Sequence, residues 1–120
     1  MDWKGIALVA IGGALGALLR FGVSTALPRI DFPWHTLLVN IAGAFILGAI
    51  FLDHGMEHNV RLLVAVGFLG AFTTMSTFGV ETIQLWTEQH IGLAVLNMVA
   101  NGVGGPLAAL AGWKAATLFG

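Results

Sequence analysis

The sequence predicts an all-α integral membrane protein of four spanning helices, and three observations carry that expectation. Of 120 residues, 58% are hydrophobic and 9% charged, against about 45–50% apolar and about 25% charged in an ordinary soluble domain. Five basic and six acidic side chains cannot coat a water-facing globule of this size. Gly supplies 17 residues, about twice its usual share, and in a bilayer small residues let helix backbones approach closely. At about 20 residues per span, residues 1–120 make one domain of four helices and little else. A net charge of −1 offers no basic patch for nucleic acid. The absence of cysteine removes disulfides and thiolate chemistry.

The charges mark where each helix begins and ends. Asp2 and Lys4 precede an apolar stretch over about residues 5–27, and Pro28, Arg29, Asp31 and Pro33 make a polar turn. The second span covers about 34–52 and is closed by Asp53, His54, Glu57, His58 and Arg61. The third covers about 62–86, followed by Glu88, Gln89 and His90; the fourth covers about 91–119. The first stretch reads as a retained helix. It runs beyond the ~7–15 apolar residues of a signal peptide, and no A-x-A cleavage pattern follows it. An even number of spans puts both termini on one side, with Lys4, Arg61 and Lys114 near it and Arg29 and Arg20 toward the other. That is almost no positive-inside bias. Either other features fix one topology, or the chain inserts both ways round and the two orientations pair.

Several polar residues are expensive at membrane depth. Arg20 and Glu81 are charges well inside spans, where ionisable groups face a bundle interior or a watery cavity. Arg20 can snorkel from near its helix end, or attract anions to a pore mouth. Glu81 sits nearer its own end and can simply cap a polar contact. Asn40 shares a face with Thr36, Gly43 and Leu47. It can act as helix–helix glue, or offer two neutral amide donors in place of an anion's water. In the third span, Gly70-Ala71-Phe72-Thr73-Thr74-Met75-Ser76-Thr77-Phe78-Gly79 sets four hydroxyls between glycines. Hydroxyls compete for backbone partners, so this segment either unwinds or bonds back onto a continuous helix. Unwound carbonyls at membrane depth can hold a hard cation. Met75, Phe78 and Thr82 form one stripe, and an aromatic ring can turn its positive edge toward an anion.

These residues resemble, in order and over essentially the whole chain, the Fluc fluoride channels of bacteria and archaea. The matching pieces are Gly12-Gly13-x-x-Gly16-x-x-x-Arg20 and Thr36-Leu37-x-Val39-Asn40-x-x-Gly43. The third, highly specific piece is Gly67-Phe68-x-Gly70-x-x-Thr73-Thr74-x-Ser76-Thr77-Phe78-x-x-Glu81. The resemblance implies an antiparallel, dual-topology homodimer in the cell membrane, with a third helix broken mid-span and two pathways for passive fluoride export. It implies that Asn40 donates hydrogen bonds to fluoride and that Phe78 presents its ring edge. Backbone carbonyls of Gly70 and Thr73 from two subunits would hold a structural Na+. Arg20 would lie at the vestibule, and Thr77, Glu81 and Thr82 along a polar route.

Two departures stand out. Met75 replaces the family's usual phenylalanine and lacks a ring quadrupole, although it keeps bulk and polarizability. It also raises the alternative of a partly degenerate, non-conducting accessory subunit in a heterodimer. Gly105 and Pro106 occupy a stretch of span four that often supplies a serine or threonine, and Pro106 should kink that helix. A small dual-topology drug or cation transporter is the competing class, but it needs a buried acid, typically in its first helix, and span one has none. No enzyme is expected. His35, His54, His58 and His90 fall at helix ends, and no third ligand joins the His54/His58 spacing.

Overall fold

The computed structural model describes residues 2–27, 31–51 and 55–119. Pro28 and Arg29 of the first predicted turn, and Leu52, Asp53 and His54 of the second, lie outside them. Helix α1 (Trp3–Ala26) starts where Asp2, in extended conformation, accepts a hydrogen bond at Oδ1 from Gly5 N–H, 2.8 Å. It stops at Leu27, which is extended, as a residue preceding proline prefers. Helix α2 (Trp34–Phe51) begins directly after Pro33. Helix α3 (residues 58–72) opens on Glu57, whose carboxylate accepts from the N–H groups of Asn59 and Val60. Its stretch Arg61–Leu69 is wound as a π-helix.

The third span then breaks at residues 73–75 and resumes as α4 (Ser76–Thr87). Gln89 ends α4 with φ 64°. His90 N–H bonds the Leu85 carbonyl and Gln89 N–H that of Trp86, the paired bonds of a Schellman motif. Helices α5 (Ile91–Gly102) and α6 (Gly104–Phe119) make the last span. Pro106 was expected to kink it. A proline ring crowds the carbonyl four residues back, here Gly102, and the helix is interrupted for one residue, Val103. Val103 N–H still bonds Val99 and Leu107 N–H still bonds Val103, so the hydrogen-bond register carries through. Among the described residues, 3–26, 58–87 and 91–119 are long and apolar enough to cross a membrane, and α2 is a shorter apolar helix.

Helix α1 lies along α3, α2 along α6, and α4 pairs with α5. Glycine makes the first two seams possible. A Cβ at Gly12 or Gly16 would land on the carbonyl of Leu63 or Phe68 in α3. On the other seam, a Cβ at Gly48 would strike the Ala109 carbonyl, and one at Gly112 that of Phe45. The interior mixes polar side chains with apolar ones such as Val39 and Leu69, and many large apolar side chains line the outside. Thr36, Asn97 and Asn101 are buried, while Leu18, Phe21, Val80 and Leu107 are exposed. In hydrocarbon, apolar side chains gain nothing by turning inward, so packing and hydrogen bonds organise the interior.

Candidate functional site

The site is assembled around the break in the third span. In a continuous helix the N–H of Thr74 would bond the carbonyl of Gly70, and that of Met75 the carbonyl of Ala71. Here Thr74 N–H donates to Asn40 Oδ1 at 2.8 Å, and Arg20 Nε donates to the Ala71 carbonyl at 3.0 Å. Asn40 Nδ2 donates in return to the Thr74 carbonyl at 3.0 Å. One side-chain amide thus satisfies both backbone groups of Thr74, as a neighbouring strand would. Thr74 Oγ1 accepts from Thr77 N–H at 3.3 Å, helping to start α4. The Gly70 carbonyl is thereby released from its helical partner. Thr73 has turned to extended backbone, and its hydroxyl donates to the Leu69 carbonyl at 3.3 Å.

Two cavities meet at this junction, and Thr74 lines both. The first, about 340 Å³, is partly polar and includes Arg20, Ser24, His35, Thr36, Thr74 and Thr77. The second, about 250 Å³, is mainly apolar and is lined by Asn40, Thr73, Thr74, Met75, Phe78 and Asn101. Arg20 and Thr77 therefore share the vestibule-like side. Asn40, Met75 and Phe78 share the other. Met75 is 79% exposed and Gly70 is also exposed, so this part of the break opens on the outside of the subunit.

Beyond Asn40 runs a hydrogen-bonded ladder that the sequence reading did not contain. Asn40 Nδ2 also donates to Asn101 Oδ1 at 2.8 Å, and Asn101 Nδ2 to Asn97 Oδ1 at 2.9 Å. Asn97 Nδ2 donates to Thr82 Oγ1 at 2.9 Å, and Thr82 Oγ1 to the Phe78 carbonyl at 2.9 Å. Asn97 and Asn101 place polar groups on span four one to two turns before Gly105 and Pro106, where the resemblance led to a serine or threonine being expected. Their signal was available: two amides at i, i+4 in an apolar span share one face and are as costly there as Asn40. Glu81 stands apart from the ladder. Its Oε2 lies 2.9 Å from His35 Nε2, a histidine otherwise read as interfacial.

Both Asn40 amide hydrogens are thus engaged within the subunit, one on a backbone carbonyl and one on another amide. They are donors that an arriving acceptor must capture by exchange. The surroundings suit a small anion: one cation on the vestibule side, neutral donors at the junction, and Phe78 in an apolar wall beyond it.

The profile of the CrcB-like protein family, described as camphor resistance (CrcB), matches residues 7–113. The chain is 50% identical to fluoride-specific ion channel FluC 1 of Natronomonas pharaonis over 105 residues, 84% of each chain. It is 46% identical to fluoride-specific ion channel FluC of Saccharophagus degradans, covering 78% of this chain and 74% of that protein. With the Methanopyrus kandleri FluC the identity is 42% over 116 residues, 92% of this chain and 88% of the other. A profile match over nearly the whole chain, together with spanning helices folded around a broken third span, makes this multi-pass membrane protein a member of the CrcB-like, FluC channel family.

Proposed function

We propose that the chain is a fluoride-selective channel subunit that lets fluoride leave the cell passively, down its gradient. The observation that carries this reading is the Asn40–Thr74 junction between a cationic vestibule and an apolar, aromatic-walled cavity. Arg20 raises the local concentration of anions. At the junction, fluoride takes the place of the Thr74 carbonyl and Asn101 Oδ1 as acceptor for the Asn40 amide. Phe78 then offers its ring edge. These are a few weak contacts, so the ion is held loosely enough to leave. Chloride is larger and a weaker hydrogen-bond acceptor, so it competes poorly for the Asn40 amide donors.

The working unit in this proposal is an antiparallel homodimer in the cell membrane, with two pathways. Irregular backbone at membrane depth is tolerated only where it is covered by protein or lines a cavity. Met75 in the break and Gly70 in the helical turn before it are exposed on the single subunit, so a second copy is the natural cover. The near-even division of basic residues between the two faces supports insertion in both orientations. Such a pair brings together carbonyls of Gly70 and Thr73 from two chains. The release of the Gly70 carbonyl by the Asn40–Thr74 bond fits a hard cation such as Na+, which takes oxygen ligands. When bound, that ion supplies fixed positive charge that holds the two breaks together. Exhaustive replacement of Na+ by a large organic cation is expected to lower dimer stability or flux, read by size-exclusion chromatography and efflux. Unchanged behaviour would count against the carbonyl site.

The direct test is fluoride efflux from liposomes containing the purified chain. Fluoride should leave rapidly and chloride should not. Met75→Phe, which restores a second ring at the apolar cavity, should also conduct. Silence from both well-folded proteins would sink the channel reading.

A further inference from the structure

We propose that Asn101 is a tethered competitor for the ion: its side-chain oxygen occupies the Asn40 amide in the ion's absence and returns to it as the ion leaves. This deepens the conduction reading above and rests on it, because it names the residue that sets how loosely fluoride is held. Asn101 lines the apolar cavity together with Asn40, Met75 and Phe78. Its Oδ1 accepts from Asn40 Nδ2 at 2.8 Å, so it sits where an anion at that donor would sit. Asn101 and Asn97 behind it are buried.

The direction of every bond in the ladder is fixed by backbone groups that can act in one sense only. Thr74 N–H can only donate, so Asn40 turns Oδ1 to it and leaves Nδ2 for the Thr74 carbonyl and Asn101. The Asn97 carbonyl can only accept, so Asn101 turns Nδ2 to it, at 3.0 Å, and Oδ1 is left facing Asn40. The same Nδ2 also donates to Asn97 Oδ1. At the far end Thr82 Oγ1 donates to the Phe78 carbonyl and therefore accepts from Asn97. Asn101 thus presents an acceptor to Asn40 and cannot present a donor without breaking two bonds on α5.

Of the two acceptors on the Asn40 amide, Asn101 is the one that yields first. The Thr74 carbonyl belongs to a two-point contact that includes Thr74 N–H, and losing it disturbs the break itself. Asn101 meets Asn40 at one point, between side chains. A charged acceptor makes a stronger hydrogen bond than a neutral amide oxygen, so fluoride displaces Asn101 Oδ1. The displaced oxygen stays close, because Nδ2 of the same amide remains bonded to Asn97. It then competes for the donor throughout the ion's stay, which weakens binding and hastens release, as conduction requires.

The experiment measures fluoride efflux from liposomes containing the full-length protein over a range of internal fluoride concentrations. Asn101→Leu removes the competing oxygen at similar volume. It is expected to lower both the half-saturating fluoride concentration and the maximal rate, each by about two- to tenfold, the worth of one hydrogen bond. Asn101→Thr can return its hydroxyl to the Asn97 carbonyl while falling short of Asn40. It should move both quantities the same way, and it carries the test if the leucine variant does not fold. A residue that only braces α5 would lower the maximal rate and leave the half-saturating concentration where it was. A half-saturating concentration unchanged or raised in the variants that fold overturns the competitor. So does a loss of conduction in both folded variants, or a failure of both to fold, either of which would make Asn101 a structural member of the ladder. No flux from the folded wild-type protein overturns the conduction reading instead.

Discussion

Replacing Asn40 by leucine is expected to abolish fluoride efflux, a loss of at least roughly 100-fold. The leucine is close in volume, so the seam between α2 and the third span keeps its shape. What disappears is the amide that satisfies both Thr74 N–H and the Thr74 carbonyl and also anchors Asn101. A buried donor or acceptor left unpaired costs about 1–3 kcal/mol, and every 1.4 kcal/mol is about tenfold in an equilibrium. Two orphaned backbone groups therefore suffice to let the break collapse into another register, quite apart from the lost donor to the ion. The checking measurement is liposome efflux on protein with the wild-type retention volume in size-exclusion chromatography. Efflux within about twofold of wild type would show that neither the donor nor the Thr74 bonds control the passage.

The second large effect is on assembly. Gly112→Val should cost most of the thermal stability of the detergent-solubilised protein, because its Cβ would lie on the Phe45 carbonyl. A backbone carbonyl cannot swing aside, so α6 must part from α2 along the seam that also contains Gly48. Overpacking typically costs about 1–3 kcal/mol, and each kcal/mol lowers the melting temperature of a domain near this size by about 4–8 °C. Gly92→Ala is the matched control. A Cβ at Gly92 meets open space, and alanine is the better helix former, so its melting temperature should stay level or rise slightly. A Gly112→Val protein melting within about 2 °C of wild type would mean that the α2–α6 seam yields more easily than its contacts indicate.

Much of this architecture is legible in the sequence. Charge placement located the apolar helices, and Asp2 and Pro33 act where helix-start chemistry says they should. The hydroxyl-rich run between Gly70 and Gly79 left two outcomes open, and the structure takes the unwound one. Its cause was not local. The break persists because Arg20 and Asn40, from two other helices, take over backbone groups at Ala71 and Thr74. Sequence shows that Asn40 has donors to offer but not that both are already engaged. The ladder through Asn101, Asn97 and Thr82 was missed for a related reason. An asparagine in an apolar span signals a hydrogen bond, but its partner is set by tertiary packing, here up to 61 positions away. Likewise the His35–Glu81 contact joins two residues that were each assigned separately to a helix end.

The length of α1 has a consequence for the lipid. At 24 residues and about 1.5 Å of rise per residue, it reaches about 36 Å, whereas the hydrocarbon core of a typical bilayer is about 30 Å thick. A helix longer than the core sheds its excess by tilting. Because α1 is packed on α3 through glycine and its Arg20 holds the Ala71 carbonyl, a change of tilt is passed to the broken span. Acyl-chain length thereby becomes a force on the helix that helps to hold the break open.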